Sequence, residues 1–114
     1  MREVKFRGKM DGVWWYFVAN NGNEGEWSQF WGLVDRKTVG EWIGITDKHG
    51  KDIYEDDIVN WLDIGGHKYQ VVYEDSGFVG VDLESDDGGD IDLAMQTLEV
   101  IGNIWENPEL LVVE

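Results

Sequence analysis

The chain has 114 residues, a formal net charge of −15 and a hydrophobic content of 42%, with seven tryptophans. That much large apolar surface suits a folded core and argues against an intrinsically disordered chain. The sequence has no cysteine and no apolar run that could span a bilayer. Disulfides, a thiolate nucleophile, a cysteine metal site and a transmembrane helix are therefore excluded.

Charge is distributed unevenly along the chain. Residues 1–40 hold six basic and five acidic residues, a net charge of +1, whereas residues 41–114 hold three basic and nineteen acidic residues, a net charge of −16. An acidic field of this size repels phosphate backbones, so we expect no direct binding of nucleic acid. One explanation is a solvated acidic surface, and the other is attraction to a basic protein partner, including one whose own ligand is DNA or RNA.

The first third of the chain predicts a β-hairpin. Val4 and Phe6 indicate a first strand, and the β-branched and aromatic run Val13–Ala19 predicts a second. The dipeptide Asn21-Gly22 tolerates a positive φ at both central positions of a two-residue turn. We therefore expect a hairpin there, with Trp27–Val34 as the returning strand.

The remainder of the chain predicts short strands separated by turns. In the turn Thr46–Gly50, Asp47 suits an Asx turn and Gly50 suits a left-handed exit. Pro108 suits the first position of a short helical turn near the end of the chain. The strands predicted in this part are Val39–Ile45, Asp57–Leu62, Lys68–Tyr73, Phe78–Leu83 and Glu99–Trp105, while Ile91–Leu98 fits either a short strand or one helical turn.

These patterns predict a mainly β fold. No stretch shows sustained helical periodicity, and no internal repeat or low-complexity linker divides the chain. We expect a small antiparallel β protein that forms a single compact domain over residues 1–114. Within it, residues 1–40 form an N-terminal β-hairpin and residues 41–114 an SH3-like barrel.

Met1–Arg7, Ile43–Val59 and Val100–Leu111 each resemble a segment of the YopX-like family of phage and prophage proteins, in matching order. The resemblance implies a small phage-encoded protein in the cytoplasm of a bacterial cell, with a β-rich fold that includes an SH3-like barrel. It implies no established activity. At Asp56 the family usually has glycine, and residues 13–34 and 82–92 have no matching counterpart in the family.

The acidic residues of the second part of the chain form the predicted interaction surface. Their carboxylates could present a phosphate-like pattern to a basic cleft, so nucleic-acid mimicry is the sharper form of this hypothesis. The candidate residues are Glu55, Asp56, Asp57, Glu74, Asp75, Asp82, Glu84, Asp86, Asp87, Asp90 and Asp92.

Two other functions remain open. Trp14 and Trp15 are adjacent in a strand and so point to opposite faces, which makes them candidate contacts in a homo-oligomeric assembly. His49, flanked by Asp47 and Asp52, is the candidate residue of an enzyme or small-ligand binder. No nucleophile elbow, phosphate loop or paired-histidine metal motif accompanies it, so we expect a non-enzymatic protein without a cofactor.

The acidic loop 82–92 partly matches a calcium-binding pattern. Asp82, Glu84 and Asp86 occupy positions 1, 3 and 5 of an EF-hand-like loop. The sixth position, where glycine is needed, is Asp87, and the twelfth, where a bidentate glutamate is needed, is Leu93. We therefore expect a solvated loop with, at most, a weak cation site.

Overall fold

The computed structural model describes residues 4–19, 24–74, 77–84, 91–94 and 96–111. Within those ranges it contains nine β-strands and one α-helix, which confirms the predicted mainly β fold. No helix in the described ranges is long and apolar enough to cross a membrane. The strands are β1 Val4–Met10, β2 Val13–Ala19, β3 Asp35–Thr46, β4 Asp52–Tyr54, β5 Asp57–Trp61, β6 Lys68–Glu74, β7 Gly77–Asp82, β8 Ile91–Asp92 and β9 Leu98–Asn103; the helix is α1 Glu24–Leu33.

The first sheet has the strand order β2-β1-β3-β4. Strands β1 and β2 form an antiparallel hairpin whose register runs from Val4 opposite Ala19 to Met10 opposite Val13. Its turn is Asp11-Gly12, with φ values of 53° and 78°. A positive φ at both central residues is the geometry that a two-residue hairpin turn requires, and Asp-Gly is one of its preferred dipeptides.

The predicted strand Trp27–Val34 is wrong, because residues 27–33 lie in helix α1 and Val34 follows its end. Phe30 and Val34 have the i, i+4 spacing that places two side chains on one face of a helix. Phe30 and Val34 are buried beneath the first sheet, and the Phe30 ring stacks on Phe17 at 5.6 Å between centroids. The predicted turn Asn21-Gly22 lies outside the described residues.

The second sheet has the strand order β8-β7-β6-β5-β9, with antiparallel pairing throughout. The predicted strands Lys68–Tyr73 and Phe78–Leu83 are confirmed as β6 and β7, which pair as an antiparallel hairpin. Among the described residues no pairing joins β8 to β9, so the sheet is open and the predicted SH3-like barrel is not confirmed. Pro108 begins the short 3-10 helix Pro108–Leu111, where a helical turn was predicted.

The main core lies on one face of the second sheet. Because side chains alternate along a strand, residues at every second position of β5 and β6 reach this core. It is extended by Ile43 and Ile45 of β3, which pack against it. The buried residues of the cluster are Ile53, Val59, Tyr69, Val71, Leu93 and Leu98.

Strand β3 connects the two parts of the fold. Its first half pairs with β1 and its second half with β4, and the register shifts between Trp42 and Thr46, around Gly44 at φ 94°. At Gly40, a Cβ atom would lie 2.9 Å from the backbone oxygen of Glu55. The absence of a side chain at Gly40 therefore allows the β4–β5 turn to pack closely on β3.

The turn after β3 is fixed by the Asp47 carboxylate. It accepts hydrogen bonds from the backbone N–H groups of His49 at 2.8 Å, Lys51 at 2.9 Å and Val100 at 3.0 Å. Burial raises the pKa of Asp47, but the three donors outweigh it and the pKa lies below its ordinary value. The predicted Asx turn is confirmed, and Gly50 adopts the expected left-handed conformation at φ 81°.

Asp56 occupies the left-handed region at φ 70°, in the turn between β4 and β5. Its N–H donates to the Val71 carbonyl at 2.8 Å, and its carbonyl accepts from the N–H of Ile104 at 3.1 Å. Strand β6 and the turn after β9 therefore hold this backbone in a conformation that glycine adopts without strain. The glycine usual in the resembling family fits this geometry.

We predict that Asp56→Gly is more stable than Asp56→Ala by about 0.5–1 kcal/mol in urea unfolding, because only alanine retains a Cβ at a positive φ. Both variants lose the carboxylate, so the comparison isolates the backbone conformation. The control is the same pair at Lys37, exposed in β3, where alanine is expected to be more stable than glycine. An Asp56→Ala variant at least as stable as Asp56→Gly would contradict the prediction.

Candidate functional site

Three basic side chains of β1 lie on the same face of the first sheet and pair with acids from the C-terminal part of the chain. They occupy alternate positions, so the strand geometry directs all three to one side. We call this set of pairs the basic ladder. Its pairs are Lys5–Asp52 at 2.5 Å, Arg7–Asp57 at 2.6 Å and Lys9–Glu106 at 2.9 Å.

The central pair of the basic ladder is buried. Arg7 is 5% exposed and Asp57 is 1% exposed, and the second Asp57 oxygen accepts the N–H of Tyr54 at 2.8 Å. The guanidinium carbon lies 4.3 Å from the centroid of the Trp14 ring and 4.9 Å from that of Tyr54. Burial raises the pKa of Asp57, although Arg7 and the Tyr54 N–H favour its ionised form. The structure thus places Asp57 in the interior, away from the predicted acidic surface.

The Lys9–Glu106 pair of the basic ladder is more exposed than the central pair, and its carboxylate accepts more hydrogen bonds. Glu106 accepts Asn103 Nδ2 at 2.9 Å, Trp14 Nε1 at 3.0 Å and Lys9 Nζ at 2.9 Å. These donors, with Asn103 contributing most, lower the pKa of Glu106 to about 2. The carboxylate is therefore ionised at neutral pH and links β1, β2 and the segment after β9.

Three of the predicted acidic residues share the face of the second sheet that points away from the main core. The Asp56 carboxylate accepts a hydrogen bond at 3.2 Å from Nε2 of Gln70, whose side chain points to this face. Gln70 and Glu74 both lie at even-numbered positions of β6, so Glu74 points to the same face. Asp92 lies opposite Val79, which in turn lies opposite Val72. We call this surface the acidic face. It consists of Asp56, Glu74 and Asp92 around the half-buried Val72, Val79 and Val81.

Like charges are crowded beside the acidic face. Glu55 is half-buried, and its pKa is raised by burial and by the neighbouring carboxylates of Asp56 and Glu41. Burial also raises the pKa of Asp56, while the hydrogen bond from Gln70 opposes the shift. An approaching cation would relieve this repulsion and would stabilise both carboxylates in their ionised forms.

Asp82 and Glu84 are already engaged with basic side chains at the end of the β6–β7 hairpin. His67 lies between them, with Nε2 2.7 Å from Asp82 and Nδ1 3.2 Å from Glu84. Lys68 Nζ is 2.9 Å from Glu84, and its hydrogen bond is the largest cause of the lowered pKa of Glu84. These two acids belong to a local network, separate from the acidic face.

The other four candidate acids, Asp75, Asp86, Asp87 and Asp90, lie outside the described residues, as does most of the predicted cation loop 82–92. In the ranges that are described, no group of three or more histidine, aspartate or glutamate side chains could hold a metal ion. Asp92 is used locally, where its carboxylate accepts the N–H of Ala94 at 3.0 Å.

His49 does not meet the carboxylates proposed as its partners. Its side chain is 59% exposed, and Nε2 lies 3.0 Å from Glu99 of β9. The Asp47 carboxylate is occupied by backbone N–H groups, and Asp52 pairs with Lys5. His49 lines neither the groove beside Trp15 nor the cleft between Tyr16 and Tyr54. The described geometry therefore does not support a site centred on His49.

Trp14 and Trp15 point to opposite faces of β2, as adjacent strand residues must. Trp14 lies opposite Lys9 and covers the basic ladder, whereas Trp15 lies opposite Gly8 on the side of helix α1. Trp15 is 51% exposed and, with Phe30 and Leu33, lines a groove of about 320 Å³. Of the two, Trp15 is therefore the side chain available to a partner.

The sequence interpretation missed the basic ladder. The alternation of Lys5, Arg7 and Lys9 along a strand was the available signal, because a period of two places three positive charges on one face. Their acidic partners are 47 to 97 residues away in the chain, and that separation hides the pairing from local patterns.

We predict that Arg7→Met lowers the free energy of unfolding by about 3–5 kcal/mol, because Asp57 is left buried without its cation. Adding Asp57→Asn should recover most of this loss, since asparagine is neutral and can still accept the Tyr54 N–H. Urea unfolding of both single variants and the double variant measures the coupling. The control is Lys37→Met, which removes an exposed lysine and should change the free energy of unfolding by less than about 0.5 kcal/mol. Additive losses at Arg7 and Asp57 would show that the pair is not coupled.

The chain is similar to a solved structure and to a family of known proteins. The crystal structure of protein EF1440 from Enterococcus faecalis is 22% identical, with a TM-score of 0.49, over 94% of this chain and 74% of that chain. None of the curated proteins matches. The YopX protein family matches residues 3–112, nearly the whole length, and agrees with the resemblance seen in the sequence. The chain therefore belongs to the YopX protein family.

Proposed function

We propose that this protein works by binding a basic protein partner through the acidic face, without catalysing a reaction. The observation that supports this most directly is the grouping of Asp56, Glu74 and Asp92 around half-buried valines on one side of the second sheet. An apolar centre with a charged rim is the usual composition of a protein interface.

The distribution of cations supports the same proposal. The whole chain has nine Lys and Arg residues against 24 Asp and Glu residues. Lys5, Arg7 and Lys9 are used in the basic ladder and Lys68 pairs with Glu84. Among the described residues no ion pair joins a lysine or arginine to Asp56 or Asp92. A basic partner would supply the missing positive charge. Electrostatic attraction would act on it at separations up to about a Debye length, beyond which salt screens the charges.

The biological setting of the proposal is that of an accessory protein of a phage or prophage, acting in the cytoplasm of the bacterial host. Its sharper form is nucleic-acid mimicry, in which the carboxylates take the place of phosphates in the basic cleft of a nucleic-acid-binding protein. The setting is supported by the family resemblance seen in the sequence, and the mimicry is supported by the net charge of −15. Direct binding of nucleic acid by the protein itself is disfavoured by that charge.

We predict that immobilised wild-type protein captures a basic protein from bacterial lysate at low salt, and that Asp56→Asn/Glu74→Gln/Asp92→Asn loses this protein. With the captured protein purified, the triple variant should bind about tenfold more weakly or worse, because three rim charges are removed. The affinity of the wild type should fall as salt is raised.

The matched control is Glu26→Gln/Asp35→Asn/Glu109→Gln, which changes the net charge equally at exposed positions outside the acidic face. It should bind as the wild type does. Equal losses in both triple variants, or binding that salt does not weaken, would overturn the proposal. Competition with duplex DNA then tests mimicry, since DNA should displace the protein only if both occupy the same basic cleft.

A second candidate function is homo-oligomeric assembly through β2. This strand is at the edge of the first sheet, and its sequence VWWYFVA contains no charged residue. Two copies of an uncharged edge strand can pair antiparallel about a two-fold axis, even though the chains repel each other elsewhere. The exposed side chains of Val13, Trp15 and Val18 would be covered in such a pairing.

We predict that light scattering detects a dimer at micromolar concentration and that Trp15→Lys weakens it at least tenfold, because an edge lysine opposes pairing. Tyr73→Lys is the control: Tyr73 is 57% exposed but lies in the second sheet, so the dimer should persist. A chain that stays monomeric at these concentrations would exclude this candidate.

A further inference from the structure

A cleft of about 370 Å³ lies between β2 and β4, which is within the size range of small-ligand sites. We call it the tyrosine cleft. Its chemistry is unlike that of the rest of this acidic protein, because three cationic residues line it and only one carboxylate does. The lining residues are Lys5, Arg7, Tyr16, Lys51, Asp52 and Tyr54.

The positive charge of the tyrosine cleft is only partly neutralised. Lys5 pairs with Asp52, and Arg7 pairs with the buried Asp57. Lys51 is exposed and takes part in no ion pair within the described residues, so the cleft keeps an excess of one positive charge. The Nε atom of Arg7 is buried and has no hydrogen-bond partner among the described residues, so the pairing with Asp57 leaves one guanidinium N–H unsatisfied.

Two tyrosines form the walls of the tyrosine cleft. Tyr16 lies opposite Arg7 in the β1–β2 register and is exposed, whereas Tyr54 is buried beside Arg7. Their ring centroids are 5.8 Å apart, with the planes inclined at 56°. An exposed aromatic ring next to cationic donors provides a surface on which a planar group can stack while its charge is bound.

We infer that the tyrosine cleft binds a small organic anion, a carboxylate or phosphate attached to a planar ring. The oxyanion is held by the exposed Lys51 next to the Arg7 guanidinium, and the ring packs on Tyr16. A polymeric nucleic acid does not fit this role, because the net charge of −15 repels a chain of phosphates more strongly than a single anion. The site is separate from the acidic face and does not depend on it.

The test is an amide NMR titration with four probes: phenyl phosphate, benzoate, inorganic phosphate and benzyl alcohol. The first two carry both ring and charge and should give saturable shifts at Tyr16 and Lys51, with dissociation constants in the millimolar range expected for such small ligands. Inorganic phosphate and benzyl alcohol each lack one feature and should bind more weakly. The ratio between phenyl phosphate and benzoate identifies the preferred oxyanion.

Variants locate the binding site. Lys51→Ala and Tyr16→Ala alter exposed side chains and should each weaken phenyl phosphate about fivefold or more. Lys48→Ala removes an exposed lysine three residues away that does not line the cleft, and it should leave the affinity unchanged. The inference is overturned if no probe saturates, if benzyl alcohol binds as well as phenyl phosphate, or if Lys48→Ala and Lys51→Ala have the same effect. None of these outcomes alters the case for the acidic face.

Discussion

The buried pair of Arg7 and Asp57 is the interaction on which the arrangement of the two sheets depends. Removing two charges from water costs several kcal/mol for each ion, and the attraction between them offsets this only when the geometry is good. Here the 2.6 Å contact, the Tyr54 N–H and the rings of Trp14 and Tyr54 supply that geometry. A packing that separated β1 from β5 while both side chains stayed buried would leave the carboxylate and the guanidinium without their counter-charges. The pair therefore makes one relative placement of the sheets far more favourable than its alternatives.

The three segments that carry the family resemblance meet around this pair. Arg7 comes from the first segment and Asp57 from the second, and the N–H of Ile104 in the third bonds to the Asp56 carbonyl beside them. Asp47 of the second segment likewise accepts the N–H of Val100 in the third. The resemblance is thus a signature of architecture, which explains why it identifies the family without indicating an activity.

Local patterns predicted the strands and turns of residues 41–114 well, although not the closure of a barrel, because these strands are joined by short turns with clear chemistry. The β6–β7 hairpin, the Asp47 turn and the helical turn at Pro108 depend on neighbours in sequence. The first third was predicted less well. Aromatic composition favoured a strand over residues 27–34, but burial of Phe30 and Val34 under the first sheet selects a helix, and that burial exists only once the sheet has formed. The Asp11-Gly12 dipeptide was the better turn signal, because β1 ends directly before it and β2 begins directly after it.

The sequence by itself determined the family, the mainly β class and a large excess of negative charge. These properties depend only on which residues are present and in what order. Which carboxylates are buried, paired or exposed was decided by the tertiary structure. It buried Asp57, placed Asp82 and Glu84 beside His67 and Lys68, and grouped Asp56, Glu74 and Asp92 on one face. The tyrosine cleft also arises only in three dimensions, from strands far apart in sequence. The physical reason is that charge is a property of composition, whereas burial and pairing are properties of distances that only the folded chain establishes.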